Sequence, residues 1–274
     1  MSNSLTLPVI HLQAANLAEG WERAVVETWE RGARIATQYD KPDDPPSRDA
    51  TLVLSIADPF AEPRIHRALP GGIYDLEVYR QEVVDGIHDD WIDPEAGKWS
   101  YTYHERLAAY RPSSSDEPIN QLELIVDELA QAPHTRRAQA IVWKPGTDNR
   151  GEHPPCLQRI WCRIFGDELV FSAHIRSNDA FKAAFMNMYA FTELQKLLAE
   201  RLSDRIGRPI RVGQYNHIAD SFHIYGSYFE EFKGFLETLD RRTFEQRTFT
   251  TEQIAPLIEE AREKIAASLA EESG

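Results

Sequence analysis

Cysteine is scarce in this chain, with only Cys156 and Cys162 among 274 residues. That scarcity excludes a disulfide framework and fits a reducing compartment. Five residues separate the two, the wrong spacing for a zinc knuckle, and no metal site is expected. No run approaches the roughly 20 apolar residues that a membrane helix requires. The opening Met1-Ser2-Asn3-Ser4-Leu5 lacks the basic start and apolar stretch of a secretory leader. The expected location is therefore the cytoplasm, with no membrane partner. Basic charge is also short: 44 acidic against 30 basic residues leave a net charge of −14. A nucleic-acid binder normally carries a basic footprint, so no nucleic-acid partner is expected. Repeats, low-complexity tracts and linkers are missing too, and the sequence predicts one domain over 1–274.

Apolar periodicity supplies the elements. Leu17, Trp21, Val25, Trp29 and Ile35 fall at helical spacing and predict a helix over 15–36. Prolines and aspartates make 40–47 a loop, and the β-branched run 51–56 a strand. Helices are predicted over 72–86, ending at Gly86, and over 118–131, with Pro118 at the start. Strands over 137–143, 156–165 and 168–176 follow, the last two joined by Gly166-Asp167 as an antiparallel hairpin. A long helix over 180–202 is lined by Phe181, Phe185, Met188, Phe191 and Leu198. Strands near 209–216 and 219–225 precede helices near 226–239 and 251–271, the last with Thr250 and Gln253 at capping-box spacing. Together these predict an α+β fold, a mixed sheet packed on helices.

The segment Pro154-Pro155-Cys156-Leu157-Gln158 puts a thiol on one apolar segment, and Arg176-Ser177-Asn178-Asp179 brings an arginine on the next. A guanidinium near a thiol favours the nucleophilic thiolate, and forked guanidinium donors suit a phosphate dianion. The pairing points to covalent catalysis on a phosphorylated small molecule. On these residues alone, an inert packed cysteine and a cysteine hydrolase using His153 or His174 stay open; Cys162 reads as packing.

An ordered series of blocks then resembles the thymidylate synthase superfamily. They are Tyr101-Thr102-Tyr103-His104, Thr135-Arg136-Arg137-Ala138, Val142-Trp143-Lys144-Pro145-Gly146, Pro154-Pro155-Cys156, Arg176-Ser177-Asn178-Asp179, Asn187 and His223-Ile224-Tyr225. The best match is 101–225, with 1–100 divergent and C-terminal helices over 226–274. The look is closest to the shorter, archaeal-type thymidylate synthases. The resemblance implies a largely antiparallel sheet buried against a partner's in a homodimer. It implies one-carbon transfer to C5 of a pyrimidine nucleoside monophosphate, with 5,10-methylenetetrahydrofolate or methylene-tetrahydromethanopterin as donor. Cys156 would add to C6 and Tyr103 would help remove the C5 proton. Arg176, Ser177 and the partner's copies of Arg136 and Arg137 would hold the phosphate. Arg48, just before a strand, would join them from a loop. Asn187 would read uracil, His223 and Tyr225 would hold the sugar hydroxyl, and Asp179 would touch base and folate.

Departures from the family pattern set further expectations. The run Glu-Leu-Leu-Trp-Phe, which supplies a catalytic glutamate, is missing, and Glu62 is the expected substitute. The apolar tail that closes over the folate is replaced by Leu269-Ala270-Glu271-Glu272-Ser273-Gly274, which reads as a fraying helix. In Ile87-His88-Asp89-Asp90-Trp91, Trp91 matches one folate-side tryptophan while His88 replaces the other. Less shielding from water would favour a 5-hydroxymethyl product over a methyl one. An inactive nucleotide-binding protein is the reading from a different class.

Overall fold

The structure, a computed structural model, describes residues 6–272. The leader reading of Met1–Leu5 and the tail's Ser273 and Gly274 lie outside the described residues.

Among the described residues nine strands form: β1 Val9–Ala14, β2 Ala33–Ile35, β3 Ser47–Ile56, β4 Ile65–His66, β5 Gln139–Ile141, β6 Leu157–Phe165, β7 Glu168–Asp179, β8 Arg211–Ile224 and β9 Thr248–Phe249. Seven join one sheet in the order β1-β3-β8-β7-β6-β5, with β2 added alongside β3. Pairing is parallel for β1 with β3 and for β7 with β8, and antiparallel elsewhere in that sheet. A separate ribbon pairs β4 with β9. The helices are α1 Leu17–Arg31, α2 Ile73–Val84, α3 Tyr103–Ala108, α4 Gln121–Gln131, α5 Pro145–Asp148, α6 Ala184–Ile206, α7 Phe229–Arg241, α8 Phe244–Arg247 and α9 Thr251–Glu272. The expected mixed, largely antiparallel α+β architecture is what forms.

Strand alternation places the core. On β3, Ala50, Leu52, Leu54 and Ile56 are fully buried, as are Tyr215, His217 and Ala219 on β8. Phe185, Met188, Phe191, Leu194 and Leu198 of α6 are buried with them. The alternate residues Val53, Ser55, Ser172, His174, Asn216 and Ile218 stay partly exposed. The sheet thus has one finished face and one half-covered face.

Several boundaries move. The helix expected over 15–36 stops at Arg31, because Gly32 breaks it and Ala33–Ile35 pairs with β3. The helix expected over 118–131 begins at Gln121 with Asn120 as cap; Pro118 lies outside it. The strand expected over 137–143 narrows to Gln139–Ile141. The expected pair of strands at 209–216 and 219–225 is one strand, since β3 and β7 hydrogen-bond to both sides of β8 and carry it past Asp220. The helix expected over 180–202 runs from Ala184 to Ile206, so Phe181 precedes it. The hairpin at Gly166 (φ +64°) and the reciprocal Thr250–Gln253 cap form as expected. Strand β1 was not foreseen.

Candidate active site

Cys156 sits immediately before β6, where antiparallel pairing with β7 sets Arg176 beside it. The Arg176 amide donates to the Cys156 carbonyl at 2.9 Å. Its guanidinium donates through Nε to the Pro155 carbonyl at 3.0 Å and through Nη2 to the Pro154 carbonyl at 2.7 Å. It also lies over the Trp143 ring, 5.8 Å from the centroid. Nη1 has no protein partner among the described residues, so one fork of the cation is left for a ligand. Burial pushes the Cys156 thiol above its usual range, and the Arg176 charge only opposes that rise. The expected activation by arginine is therefore partial in this state. Cys162 is fully buried and burial pushes it far up, which agrees with packing.

Tyrosines surround the thiol. Tyr103 opens α3, whose cap is Thr102 accepting from the Glu105 amide. Its hydroxyl accepts from the Leu157 amide at 3.1 Å, one residue from Cys156. Tyr79 on α2, Tyr101, Tyr103 and Tyr225 all lie close enough to feel the charge of a Cys156 thiolate. Burial raises all four phenols, so they remain protonated donors. Asn187, buried on α6, accepts from the Tyr79 hydroxyl through Oδ1 at 2.5 Å. A cleft of about 520 Å³ opens beside this ring, lined among others by Tyr79, Glu82, Trp99, Tyr101, Tyr103 and His153.

Through Trp99 the cleft adjoins an aromatic cluster. His88 stacks on Trp91 with centroids 3.7 Å apart. Trp99 stands edge-on to both, at 5.6 Å from His88 and 5.3 Å from Trp91. Both tryptophans are over a third exposed, at 37% and 40%, an unusual outlay of apolar surface unless a flat ring covers it. The loop holding Trp99 is closed by its own backbone, Asp93 N–H to the Trp99 carbonyl at 3.0 Å. His88 Nδ1 bonds Glu82 Oε2 at 3.1 Å. Burial raises the Glu82 carboxyl above its ordinary range despite that bond.

At the sheet's end, Asp179 closes β7 opposite His223 of β8. Ser177 and Asp179 are both on this strand, and α6 starts at Ala184. Asp179 Oδ1 nevertheless accepts from the Phe181 and Lys182 amides at 3.0 and 2.8 Å. Burial outweighs those bonds and pushes Asp179 up to about 6. His223 is buried and driven down to about 4 by desolvation, so it is neutral, and its ring meets Tyr225 at 4.6 Å. Gly226 follows at a close approach: a Cβ there would meet the Pro45 carbonyl oxygen at 1.7 Å.

Two expectations change here. Glu62 is exposed and engaged elsewhere, accepting from the Thr251 and Arg64 amides at 3.1 and 2.9 Å; the carboxylate in the cleft is Glu82. Arg48 is on β3 instead of a loop, with its guanidinium over Trp29 at 5.5 Å and 3.4 Å from the Gly32 carbonyl. Its register partner Ile224 places it one residue from Tyr225, and its side chain turns to α1 and the Gly32 carbonyl, with Nε buried and unpartnered among the described residues. Arg136 and Arg137 are exposed ahead of β5, and their guanidinium groups have no partner among the described residues. Tyr79, Glu82 and Trp99 were missed. Only Trp99 left a local signal, as a third aromatic close to Trp91. Among the described residues no group of three or more His, Cys, Asp and Glu side chains is arranged to hold a metal.

Comparison with known proteins fits this geometry. A protein of Methanocaldococcus jannaschii named "Putative thymidylate synthase" is 36% identical over 133 residues, covering 46% of this chain and 56% of that protein. That match thus spans less than two thirds of the relative's length. A Methanosarcina acetivorans protein of the same name is 26% identical over 214 residues, covering 78% and 88%. The fold is similar to that of thermostable thymidylate synthase A from Bacillus subtilis, with TM-score 0.59, 16% identity and coverage of 81% and 84%. No helix among the described residues is long and apolar enough to cross a membrane. A family model described as Thymidylate synthase matches residues 75–264. The chain belongs to the thymidylate synthase family, one-carbon transferases that bind a nucleoside monophosphate and use a methylene-folate-type donor.

Proposed function

We propose that this protein methylates deoxyuridylate at C5 to give thymidylate, in the cytoplasm and as a homodimer. The observation that carries the reading is the convergence on Cys156 of Arg176, Tyr103, Tyr79 and, through Tyr79, Asn187. Cys156 Sγ adds to C6 of the base, which makes C5 an enolate-like carbon able to attack. Bound phosphate meets the free fork of Arg176, with Ser177 beside it, and His223 and Tyr225 hold the sugar. Asn187 pairs with the O4 and N3–H edge of uracil. Tyr103 and ordered water help to remove the C5 proton. Glu82, held protonated more readily than an ordinary carboxyl, exchanges a proton in the cleft in the role expected of Glu62. Asp179 touches base and carrier.

The fit to a pterin carrier rests on the half-exposed rings of Trp91 and Trp99 around His88. When bound, 5,10-methylenetetrahydrofolate or methylene-tetrahydromethanopterin supplies the one-carbon unit and, for a methyl product, the hydride. The second reading, a 5-hydroxymethylase, draws on His88 in a tryptophan's place. Trp99 favours the methyl product, because it restores an aromatic wall on the same side as His88. Product masses after incubation with deoxyuridylate and methylenetetrahydrofolate test this, with deoxycytidylate in parallel. A mass gain of one CH2 unit is expected, since a methyl group replaces the C5 hydrogen; a hydroxymethyl product would establish the second reading.

The half-covered sheet face and the unengaged Arg136 and Arg137 support a sheet-to-sheet dimer with shared sites. Mixing inactive Arg137→Ala with inactive Cys156→Ala should restore activity in hybrid dimers. Verified heterodimers that stay inactive would contradict the shared site.

A further inference from the structure

We infer that Tyr79 fixes the choice of base by locking the Asn187 carboxamide in one orientation, an inference that rests on Asn187 facing the base as read above. The Tyr79 hydroxyl donates to Asn187 Oδ1 at 2.5 Å. Asn187 is buried, at 7% exposure, and its Nδ2 has no partner among the described residues. The amide thus commits one lone pair of its acceptor to Tyr79 on α2 and leaves its two N–H donors without a partner among the described residues. Tyr79 lines that cleft itself, between Glu82 and the other tyrosines. Its phenol is held far above the ordinary range by burial and by Tyr103, so it donates throughout the working pH range.

The orientation decides what the site can read. Uracil offers an acceptor at O4 and a donor at N3–H. Asn187 Nδ2–H meets O4, and the second lone pair of Oδ1 accepts N3–H while the first keeps the Tyr79 hydrogen. Cytosine offers the reverse, an amino donor at C4 and an acceptor at N3. Pairing with it requires the amide to turn through half a rotation. That turn sets Nδ2 against the Tyr79 hydroxyl and strips the phenolic hydrogen of its acceptor. An orphaned buried donor is costly, which biases the amide toward uracil. Phenylalanine at position 79 carries no hydroxyl, so both orientations become available.

The test measures kcat/KM, and calorimetric Kd without carrier, for deoxyuridylate and deoxycytidylate. It uses the full-length wild type, Tyr79→Phe and Asn187→Asp, with a melting curve for each. Tyr79→Phe is expected to lower the deoxyuridylate preference about tenfold, the scale of one buried hydrogen bond, through a gain on the cytosine side. A tyrosine with only a packing role would weaken both nucleotides in proportion and leave the ratio unchanged. If the wild type prefers deoxyuridylate and Asn187→Asp shifts the preference while Tyr79→Phe does not, the lock is wrong and the base-reading role stands. If Asn187→Asp also leaves the ratio unchanged, the base-reading role itself fails. The Kd ratio decides the matter even for a variant too slow to assay.

Discussion

Glu22, His66 and Arg247 bury their polar atoms against one another, whereas Cys156, Glu82, Asn187 and Asp179 bury theirs with capacity left over. In the first cluster, Arg247 donates to both oxygens of Glu22 at 2.8 Å, and His66 Nε2 meets Glu22 Oε2 at 3.0 Å. His66 Nδ1 accepts from the Ala68 amide at 3.1 Å, which fixes the proton on Nε2. Burial alone would raise the Glu22 carboxyl, yet the bonds from His66 and Arg247 bring it below its ordinary range. In the second cluster burial wins, and Cys156, Glu82 and Asp179 all move up. Completed partners stabilise charge and hold α1 to the β4–β9 ribbon. Incomplete partners leave groups poised to exchange protons or meet a ligand.

Breaking the completed cluster should have the largest effect on stability. Arg247→Ala leaves Glu22 buried beside His66 and should cost about 3 kcal/mol in urea unfolding, with kcat unchanged while the protein is folded. A loss below about 1 kcal/mol would mean that this cluster is no more finished than the site. Asp179→Asn should move the other way. The folded-state value of about 6 lies above the ordinary 3.8. The folded protein therefore binds the proton more tightly than the unfolded chain, and Asp179 costs stability as pH rises through about 6. Removing its charge should add up to about 3 kcal/mol at pH 8, a gain that shrinks below about 6 and disappears near 4. Activity should fall while stability rises. A pH-independent change in stability would show that Asp179 is not strained by burial.

The comparison also explains what could be read in advance. The β6–β7 hairpin, α6 and the cap of α9 were legible because each is specified by neighbours in sequence. So was the pairing of Cys156 with Arg176, since a tight hairpin fixes which residues face each other. Strand β1 carried a readable signal, Ile10 and Leu12 alternating with His11 and Gln13 over a short edge strand, and it was missed. The continuity of β8 past Asp220 depends on β3 and β7, which are distant in the chain. Glu82 and Tyr79 were hidden for the same reason: an acid and a phenol on α2 acquire meaning only when α2 packs on α6. Arg48 misled because its position beside Ile224 suits a phosphate ligand, but Trp29 and Gly32 take up its guanidinium.

The central claim is that Cys156 is the nucleophile of this unfinished cluster. The most direct measurement is the mass of the intact protein, and of its Cys156 peptide, after incubation with 5-fluoro-deoxyuridylate and methylenetetrahydrofolate. The expected result is a stable adduct on Cys156 that carries both nucleotide and carrier. Cys156→Ala should form none while still binding the nucleotide. An unmodified wild type, an adduct on Cys162, or an adduct that persists in Cys156→Ala would contradict the covalent mechanism.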